Sequence, residues 1–471
     1  MTHAKPVSPS SLPRAIRWAI PIGLIVAAII QGAAYWPGIM TWDAINQYGQ
    51  STSGVFDDWH PPVMAWLWRR LIAVAPGPAP MFFTQLALYW TGYGLIIADA
   101  LRRRQAGAAM IVAIGALMPF PLAIMGAVLK DCLMEGLLLT AVGLFIWSGP
   151  ERGWAARLPA MLLLVAAGLL RFNAFLATLP LLIALLPAPC RRTWVRTAIA
   201  AALILPLTLA SMPIVNRLIG AEDSGVQLSL VIFDLGGITR HTGLDMFPPI
   251  GVADPVAINA RCYHPVKWDS YSSWADPECP ISFERIDAWM TDKSERPIAM
   301  LARAIIAHPL AYAQHRLAHF NMNARFLIHD EVEGPAPDKA IDNEWGFVVP
   351  PNPALRLINQ LAVWSIHTPL GWPIWWMALA SGLLILSRTM PSRWLIAPIA
   401  VSALAYGLGY LLFSVSSELR YHLWTITGTM IAAAYVSADL LNGHSVSRRR
   451  AIASLAPALC VAILCAIWRL S

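Results

Sequence analysis

Charged residues are scarce in this chain. Only 13% of its 471 residues are Asp, Glu, Lys or Arg, whereas ordinary soluble proteins carry roughly 25%. A chain of this length and composition is not expected to fold as two or three soluble domains. Its hydrophobic share of 57% favours a protein that crosses a membrane many times.

Cysteine is also scarce. The six cysteines form no Cys-x-x-Cys pair and no His/Cys set at zinc spacing, which excludes a disulfide scaffold and leaves a structural metal site unsupported. Cys262 and Cys279 lie in a stretch rich in Trp, Tyr and Pro, and we expect them to form a disulfide in an oxidising compartment. The alternative is a pair of free thiols.

Long uncharged runs predict the membrane topology, because a spanning helix needs about 20 mostly apolar residues. The run from Trp18 to Thr41 is longer than the apolar core of a signal peptide, so we predict a retained helix there. About eleven spans are predicted, at residues 18–37, 80–98, 108–129, 132–148, 157–170, 173–188, 197–215, 369–387, 394–415, 421–438 and 451–468.

The basic residues orient this set. Arg102–Arg104 and Arg448–Arg450 lie in alternate loops, on the same predicted side as the basic N-terminal segment that holds Lys5. Loops rich in Lys and Arg face the cytoplasm, so we predict a cytoplasmic N-terminus in a multi-pass inner-membrane protein. The net charge of +7 then reflects topology, and a nucleic-acid partner is not expected.

Three regions follow from these spans. Residues 1–215 form an N-terminal transmembrane module, 216–368 an outer (periplasmic) insertion, and 369–471 a C-terminal transmembrane module. Pro61–Ala75 is apolar but too short to cross, which predicts an interfacial helix. Ile298–Phe326 has apolar residues at helical spacing and predicts two amphipathic helices that separate near Pro309.

Ionisable residues gather at the ends of spans that this topology places on the outer face. Such residues are costly at membrane depth and usually have a function. Four hairpins contribute them: Asp43, Asp57, Asp58 and His60; Lys130 and Asp131; Arg171; and Glu418, Arg420 and Tyr421. Basic groups around acidic ones suit an anionic lipid headgroup together with a reaction that needs a carboxylate.

Each of these residues also has a structural interpretation. Lys130, Arg171 and Arg420 are the kind of residues that anchor spans to lipid phosphates. Asp131 has Lys130 as a neighbour to pair with, and Asp43 lies where Thr41 predicts a helix N-cap. The shared level of the four hairpins favours a common site over these separate explanations.

The pattern resembles the membrane glycosyltransferases of the GT-C class, particularly bacterial relatives of the protein O-mannosyltransferases and of the lipid A aminoarabinose transferase. An acidic residue follows the first span in WDAINQYGQ, and a His-Pro-Pro element precedes an interfacial helix in DDWHPPVMAWLWRRL. Later elements are LKDCLMEGLLL, LLRFNAFLATLPLL and ELRYHLWTITGTM. The resemblance covers about half of the chain in the family's order, and implies an all-α, GT-C-like membrane fold.

The resemblance implies transfer of a sugar from a polyprenyl-phosphate donor to an acceptor, with inversion at the anomeric carbon. The acceptor is a lipid-linked molecule, a glycan or a protein. The implied base is Asp43, with Asp58 as the alternative. His60 is expected to orient a carboxylate or the phosphate, and the basic residues to hold the phosphate. No cofactor is predicted, although carboxylates can hold a divalent ion.

Two other functions remain open at this stage. Polymerases and ligases of surface polysaccharide are also polytopic, with a large outer loop and basic residues for a lipid diphosphate. A lipid or sugar transporter would carry ionisable residues near the middle of its spans, between broken helices. Glu135, one turn into the fourth span, is the nearest approach to that pattern.

Overall fold

The computed structural model describes residues 14–149, 154–329 and 334–471. Lys5, which was used to predict the topology, lies outside these ranges. Within these ranges the secondary structure is helical. They contain three isolated β-bridges and no β-strand. The α-helices of these ranges are α1 (Arg14–Ala34), α2 (Trp42–Ser53), α3 (Val63–Leu71), α4 (Ala79–Arg102), α5 (Ala106–Ala116), α6 (Pro119–Ile124), α7 (Lys130–Ser148), α8 (Trp154–Gly168), α9 (Phe175–Leu185), α10 (Trp194–Ile219), α11 (Gln227–Thr242), α12 (Pro255–Cys262), α13 (Phe283–Lys293), α14 (Pro297–Ala307), α15 (Pro309–Asn323), α16 (Pro353–Ile366), α17 (Pro373–Ser387), α18 (Arg393–Gly409), α19 (Leu423–Leu441) and α20 (Arg448–Leu470).

Four helices are long and apolar enough to cross a membrane, judged on the described residues: α4, α7, α10 and α20. Shorter apolar helices include α5, α9, α17 and α18. The structure is therefore compatible with a multi-pass membrane protein. Each of the eleven predicted spans falls on a helical region, but seven of them lie on helices that are shorter or less apolar than these four.

The predicted span at 108–129 is divided. Its first part is α5, which ends at Ala116, and its second part is the short α6. Pro119 and Pro121 explain the interruption, because proline removes a backbone donor and pushes the residue before it away from helical geometry. Met118, directly before Pro119, has φ −59° and ψ 132°, which is extended.

Helix α7 forms the centre of the bundle and is buried along most of its length. It packs closely on α4 through glycines on both helices. A Cβ added to Gly92 would lie 2.5 Å from the Leu139 backbone, and one added to Gly136 would lie 2.9 Å from the Gln85 carbonyl oxygen. Small residues allow such close approach, which is a common way for helices to associate in membranes.

The predicted insertion 216–368 contributes to two separate cores. Helices α11 to α14 and the start of α15 form a small core around Ile232, Phe233 and Ile286. The later part of the insertion packs on the main transmembrane core instead, through Val349 and α16. As predicted, two helices meet near Pro309, since α14 ends at Ala307 and α15 begins at Pro309.

The predicted interfacial segment contains helix α3, which is shorter than the fifteen residues of Pro61–Ala75. Met64 and Trp68 are buried, whereas Trp66 is exposed and lies against Arg70. Arg69 donates to the carbonyl oxygens of Ser51 and Thr52 at the end of α2. Helix α3 therefore fixes the end of the helix that carries Asp43.

Candidate functional site

A short backbone pairing brings Asp43 and Lys130 together. Ile39 and Ala127 form a parallel bridge, in which Ile39 N–H donates to Gly126 (3.0 Å) and Val128 N–H donates to Ile39 (3.0 Å). The two segments that form this bridge lead directly into helices, one into α2 and the other into α7. Asp43 and Lys130 therefore lie in the first turns of two neighbouring helices.

Three further segments complete the site. His60 lies in the loop between α2 and α3, where Pro61 and Pro62 prevent a longer helix. Arg171 lies in the turn between α8 and α9, and Arg420 lies in a 3₁₀ turn that precedes α19. These turns are short, so the positions of their side chains follow from the packing of the helices on either side.

Asp43 lies at the centre of the resulting group. Lys130 Nζ donates to Asp43 Oδ2 at 3.1 Å, and Arg420 Nη1 donates to the same oxygen at 2.9 Å. Lys130 also donates to His60 Nδ1 at 2.8 Å, which leaves His60 Nε2 facing Asp43 Oδ1 at 3.6 Å. The Asp43 side chain keeps 19% of its surface exposed, so a ligand can reach it.

Asp131 and Glu418 add two carboxylates to the group. Asp131 is buried; it forms an ion pair with Arg171 and lies 3.7 Å from Arg420 Nη1. Glu418 engages Arg420 through two contacts, at 2.6 Å to Nε and 2.9 Å to Nη2. Paired contacts of this kind fix the plane of a guanidinium group.

Tyr421 closes one side of the group. Its hydroxyl donates to Glu418 at 3.1 Å, and the Arg171 guanidinium lies over its ring at 4.2 Å. We call these eight residues the Asp43 cluster: Asp43, His60, Lys130, Asp131, Arg171, Glu418, Arg420 and Tyr421. All of them were predicted from the sequence as site residues.

The charges of this cluster set the protonation of Asp43 and His60, both of which lie outside the membrane-spanning helices. Burial raises the pKa of Asp43, but the charges of Arg420 and Lys130 outweigh it and hold that pKa well below its usual value. Burial and the Lys130 charge lower the pKa of His60 to about 3. At neutral pH the cluster therefore contains an ionised Asp43 and a neutral His60, which accepts from Lys130.

The cluster is nearly balanced in charge, which differs from the basic ring predicted from the sequence. Lys130, Arg171 and Arg420 face the carboxylates of Asp43, Asp131 and Glu418, and the basic groups are already paired. Among the described residues, no group of three or more His, Cys, Asp or Glu side chains is arranged to hold a metal ion.

The other two predicted carboxylates have partners outside the Asp43 cluster. Asp57 Oδ1 accepts from the Trp59 N–H at 3.0 Å, within its own loop. Asp58 Oδ1 accepts from the N–H and the hydroxyl of Ser224, at 2.8 and 2.7 Å. Asp58 also lines a groove of about 450 Å³ next to α10, in which Phe172 and Met212 supply apolar surface. Asp58 thus tethers its loop to the segment after α10.

Cys262 and Cys279 are joined by a disulfide bond, the pairing that the sequence suggested. Glu135 is fully buried, and its Oε1 accepts from the Thr427 hydroxyl at 2.6 Å. It therefore links α7 to α19 just behind the Asp43 cluster, which gives it a place in the packing of the bundle.

Two groups of contacts around the site were not predicted from the sequence. Tyr410 lies parallel to Tyr421, with ring centroids 5.5 Å apart and planes inclined by 7°. Asn323 and Arg316, from the insertion, hydrogen-bond to the loop that carries Glu418 and Arg420. No local sequence signal identifies them, because their role depends on a partner far along the chain.

Comparison with models of known families, with curated proteins and with solved structures found no match to this chain. The function is therefore inferred from the geometry of the Asp43 cluster and from the sequence pattern that led to it.

Proposed function

We propose that this protein is a membrane glycosyltransferase of the GT-C class, which moves a sugar from a polyprenyl-phosphate donor to an acceptor hydroxyl. The observation that carries the proposal is the position of Asp43. Its carboxylate is partly exposed and lies within hydrogen-bonding distance of Lys130 and Arg420, with Arg171 nearby. A transferase needs such a carboxylate beside cations that can receive a phosphate.

The paired state of the cluster suggests an order of events. A donor phosphate competes with Asp43 for Lys130 and Arg420, since both cations can donate to phosphate oxygens. When these cations turn to the phosphate, Asp43 loses the charges that lower its pKa. Donor binding therefore raises the pKa of Asp43 and makes it a stronger proton acceptor. In the free protein the strongly lowered pKa makes the same carboxylate a weak proton acceptor.

The chemical step then requires one proton transfer and one displacement. The acceptor oxygen attacks the anomeric carbon and loses its proton to Asp43, while the bond from that carbon to the phosphate oxygen breaks. The leaving polyprenyl phosphate gains negative charge, which Lys130, Arg171 and Arg420 stabilise. His60, which is uncharged at neutral pH, orients the Lys130 ammonium group.

The proposal includes a topology. In it the eleven predicted spans cross the cytoplasmic membrane with the N-terminus inside, and the Asp43 cluster lies at the outer face. The exposed apolar surfaces of α10 and α20 support a lipid environment, because residues such as Leu203, Leu207 and Ile463 lie open on the surface. The groove beside α10 offers apolar surface next to Phe172, the residue after Arg171.

Two experiments test the proposal. Mass spectrometry of surface glycans from a deletion strain identifies the missing sugar and its acceptor. The purified protein in lipid nanodiscs is then given the corresponding polyprenyl-phosphate sugar. We expect glycosylated acceptor and free polyprenyl monophosphate in equal amounts. In a parallel reaction with a polyprenyl-diphosphate-linked glycan as the donor, release of polyprenyl diphosphate would indicate a polymerase or ligase, and unaltered glycans with no turnover of either donor would exclude both.

A further inference from the structure

The core of the insertion contacts two of the segments that carry the Asp43 cluster, the loop of His60 and the loop of Glu418 and Arg420. The Trp59 ring, next to His60, packs on Trp268 with ring centroids 5.9 Å apart. Val415, which precedes Glu418 by three residues, packs against the same core. In the sequence, Trp268 lies between Cys262 and Cys279, which form the disulfide.

Hydrogen bonds fix the loop that leads to Glu418 and Arg420. Trp268 N–H donates to the Val415 carbonyl at 2.9 Å, and the Ser417 hydroxyl donates to the Val266 carbonyl at 2.7 Å. From α15, Arg316 Nη1 donates to the Ser414 carbonyl at 2.7 Å. The chain that leads to Arg420 is thus hydrogen-bonded to the insertion at three residues, Ser414, Val415 and Ser417.

Asn323 joins the two sides of this loop. Its amide nitrogen donates to the Ser416 carbonyl at 3.1 Å, and its Oδ1 lies 2.6 Å from His422 Nε2. A carbonyl only accepts, so the amide nitrogen must face Ser416 and His422 must be the donor to Oδ1. Asn323 is buried, and its two partners bracket Glu418 and Arg420 along the chain.

The position of Asn323 is itself fixed. It is the last residue of α15, and the carbonyl of Ala324 accepts from the Ile374 N–H at 3.0 Å, at the start of α17. Arg469, near the end of α20, donates to the carbonyls of Arg325 and Phe326 at 2.9 and 3.1 Å. Asn323 therefore rests on two helices of the C-terminal module.

We propose that Asn323 is a positioning residue, which holds the loop of Ser414–His422 so that Arg420 meets Asp43 at hydrogen-bonding distance. The insertion, through α15 and its disulfide-closed segment, acts as a support for the site. The proposal rests on the proposed function for its catalytic consequence, but the geometric statement stands without it.

The test compares two buried asparagines of the insertion. In Asn323→Asp one carboxylate oxygen faces the Ser416 carbonyl, so this hydrogen bond is lost while the contact with His422 is kept. Asn259→Asp is the matched control, because Asn259 is equally buried and bonds Gly236 and Tyr271, away from the loop. Ser417→Ala removes one hydroxyl and is a milder second variant, chosen because it is expected to fold.

The first measurement is hydrogen–deuterium exchange of the peptide covering residues 414–422, in nanodiscs. We expect exchange to be about tenfold faster in Asn323→Asp and about threefold faster in Ser417→Ala, with no change in Asn259→Asp. Unchanged exchange in both loop variants would overturn the proposal.

The second measurement is steady-state sugar transfer per folded molecule. In the loop variants we expect kcat to fall about tenfold and about threefold respectively, without loss of thermal stability beyond that of the control. A loosened loop with full kcat would overturn the positioning role. If the wild-type protein transfers no sugar, the proposed function fails, and the exchange result alone decides whether Asn323 holds the loop.

Discussion

Two clusters in this molecule share an aspartate, a histidine, an arginine and a tyrosine, and they differ in their surroundings. The Asp43 cluster joins a carboxylate to a histidine, a lysine and two arginines. The Asp234 cluster, in the insertion, joins Asp234 to His315 at 2.9 Å and to Arg316, and His315 in turn contacts the Tyr263 hydroxyl at 2.8 Å. The residue types that the two clusters share do not show which of them a ligand can reach.

Access distinguishes the two clusters. The Asp234 side chain is 1% exposed and that of His315 is fully buried, whereas the Asp43 side chain is 19% exposed. The Asp234 cluster is formed mainly by α11 and α15, while five separate segments meet in the Asp43 cluster. A sealed ion pair between two helices fixes their packing, and a partly open one where several segments meet can exchange its partners for a ligand.

The largest expected effect is on sugar transfer, and it separates Asp43 from Asp58. Asn at position 43 cannot accept a proton, so Asp43→Asn is expected to lower sugar transfer by about 10³-fold while the protein folds normally. Asp58→Asn is expected to keep most of the activity, because Asp58 bonds to Ser224. The measurement is kcat/KM for transfer, with size-exclusion profiles as the folding control. Full activity of Asp43→Asn, or an equal loss in Asp58→Asn, would contradict the assignment.

The next effect is on the stability of the fold, and it concerns the Asp234 cluster. Asp234→Asn leaves Arg316 buried without its carboxylate, which typically costs about 3–5 kcal/mol. We expect a clear fall in Tm and in the yield of folded protein. The control is Asp292→Asn, since Asp292 pairs with Lys293 on the exposed surface and such pairs contribute little. If Asp234→Asn unfolds at the wild-type temperature, the Asp234 cluster is not a packing device.

A smaller effect is expected from Arg420→Lys. Lysine keeps the positive charge but cannot make the paired contacts with Glu418 while also reaching Asp43. Sugar transfer should fall by about 10- to 100-fold, chiefly in kcat. Arg303→Lys, at an exposed arginine that pairs with Glu295, is the control. Equal activity of Arg420→Lys and wild type would mean that only charge matters at this position.

The smallest expected effect is the response to pH. Because the pKa of His60 is lowered to about 3 and that of Asp43 lies well below its usual value, neither group titrates between pH 5 and 8. Stability from Asp43 is present above its unfolded pKa of about 3.9 and is lost only as pH falls through the lower, folded value. The kcat/KM for transfer, which reports the protonation of the free enzyme, should show no acid limb across pH 5–8. An apparent pKa of 6–7 would assign a charged His60 to the mechanism.

Local sequence patterns predicted much of this molecule. Apolar runs located the helical regions, and Pro309 located the junction of α14 and α15. Eight of the ten predicted site residues lie together in the Asp43 cluster. These predictions succeed because burial in lipid and proline chemistry act on short stretches, which a sequence displays directly.

Other features escaped prediction because they depend on contacts between distant segments. The division of the span at 108–129 is an exception, because Pro119 and Pro121 mark it locally and the search for apolar runs overlooked them. Asp58 was grouped with Asp43 by proximity in sequence, but its partner Ser224 lies 166 residues away. The low pKa of Asp43 was also unexpected, because Arg420 lies 377 residues further along the chain.

By itself the sequence determined that this is a helical, membrane-compatible chain with ionisable residues at the ends of its apolar runs. Only the tertiary structure decided which of those residues meet. The pairing of Ile39 with Ala127 aligns two helix starts, and the insertion holds the loop of Arg420 against them. Ion pairs act over a few ångströms in space, whatever the distance along the chain, so only the folded arrangement shows which residues pair.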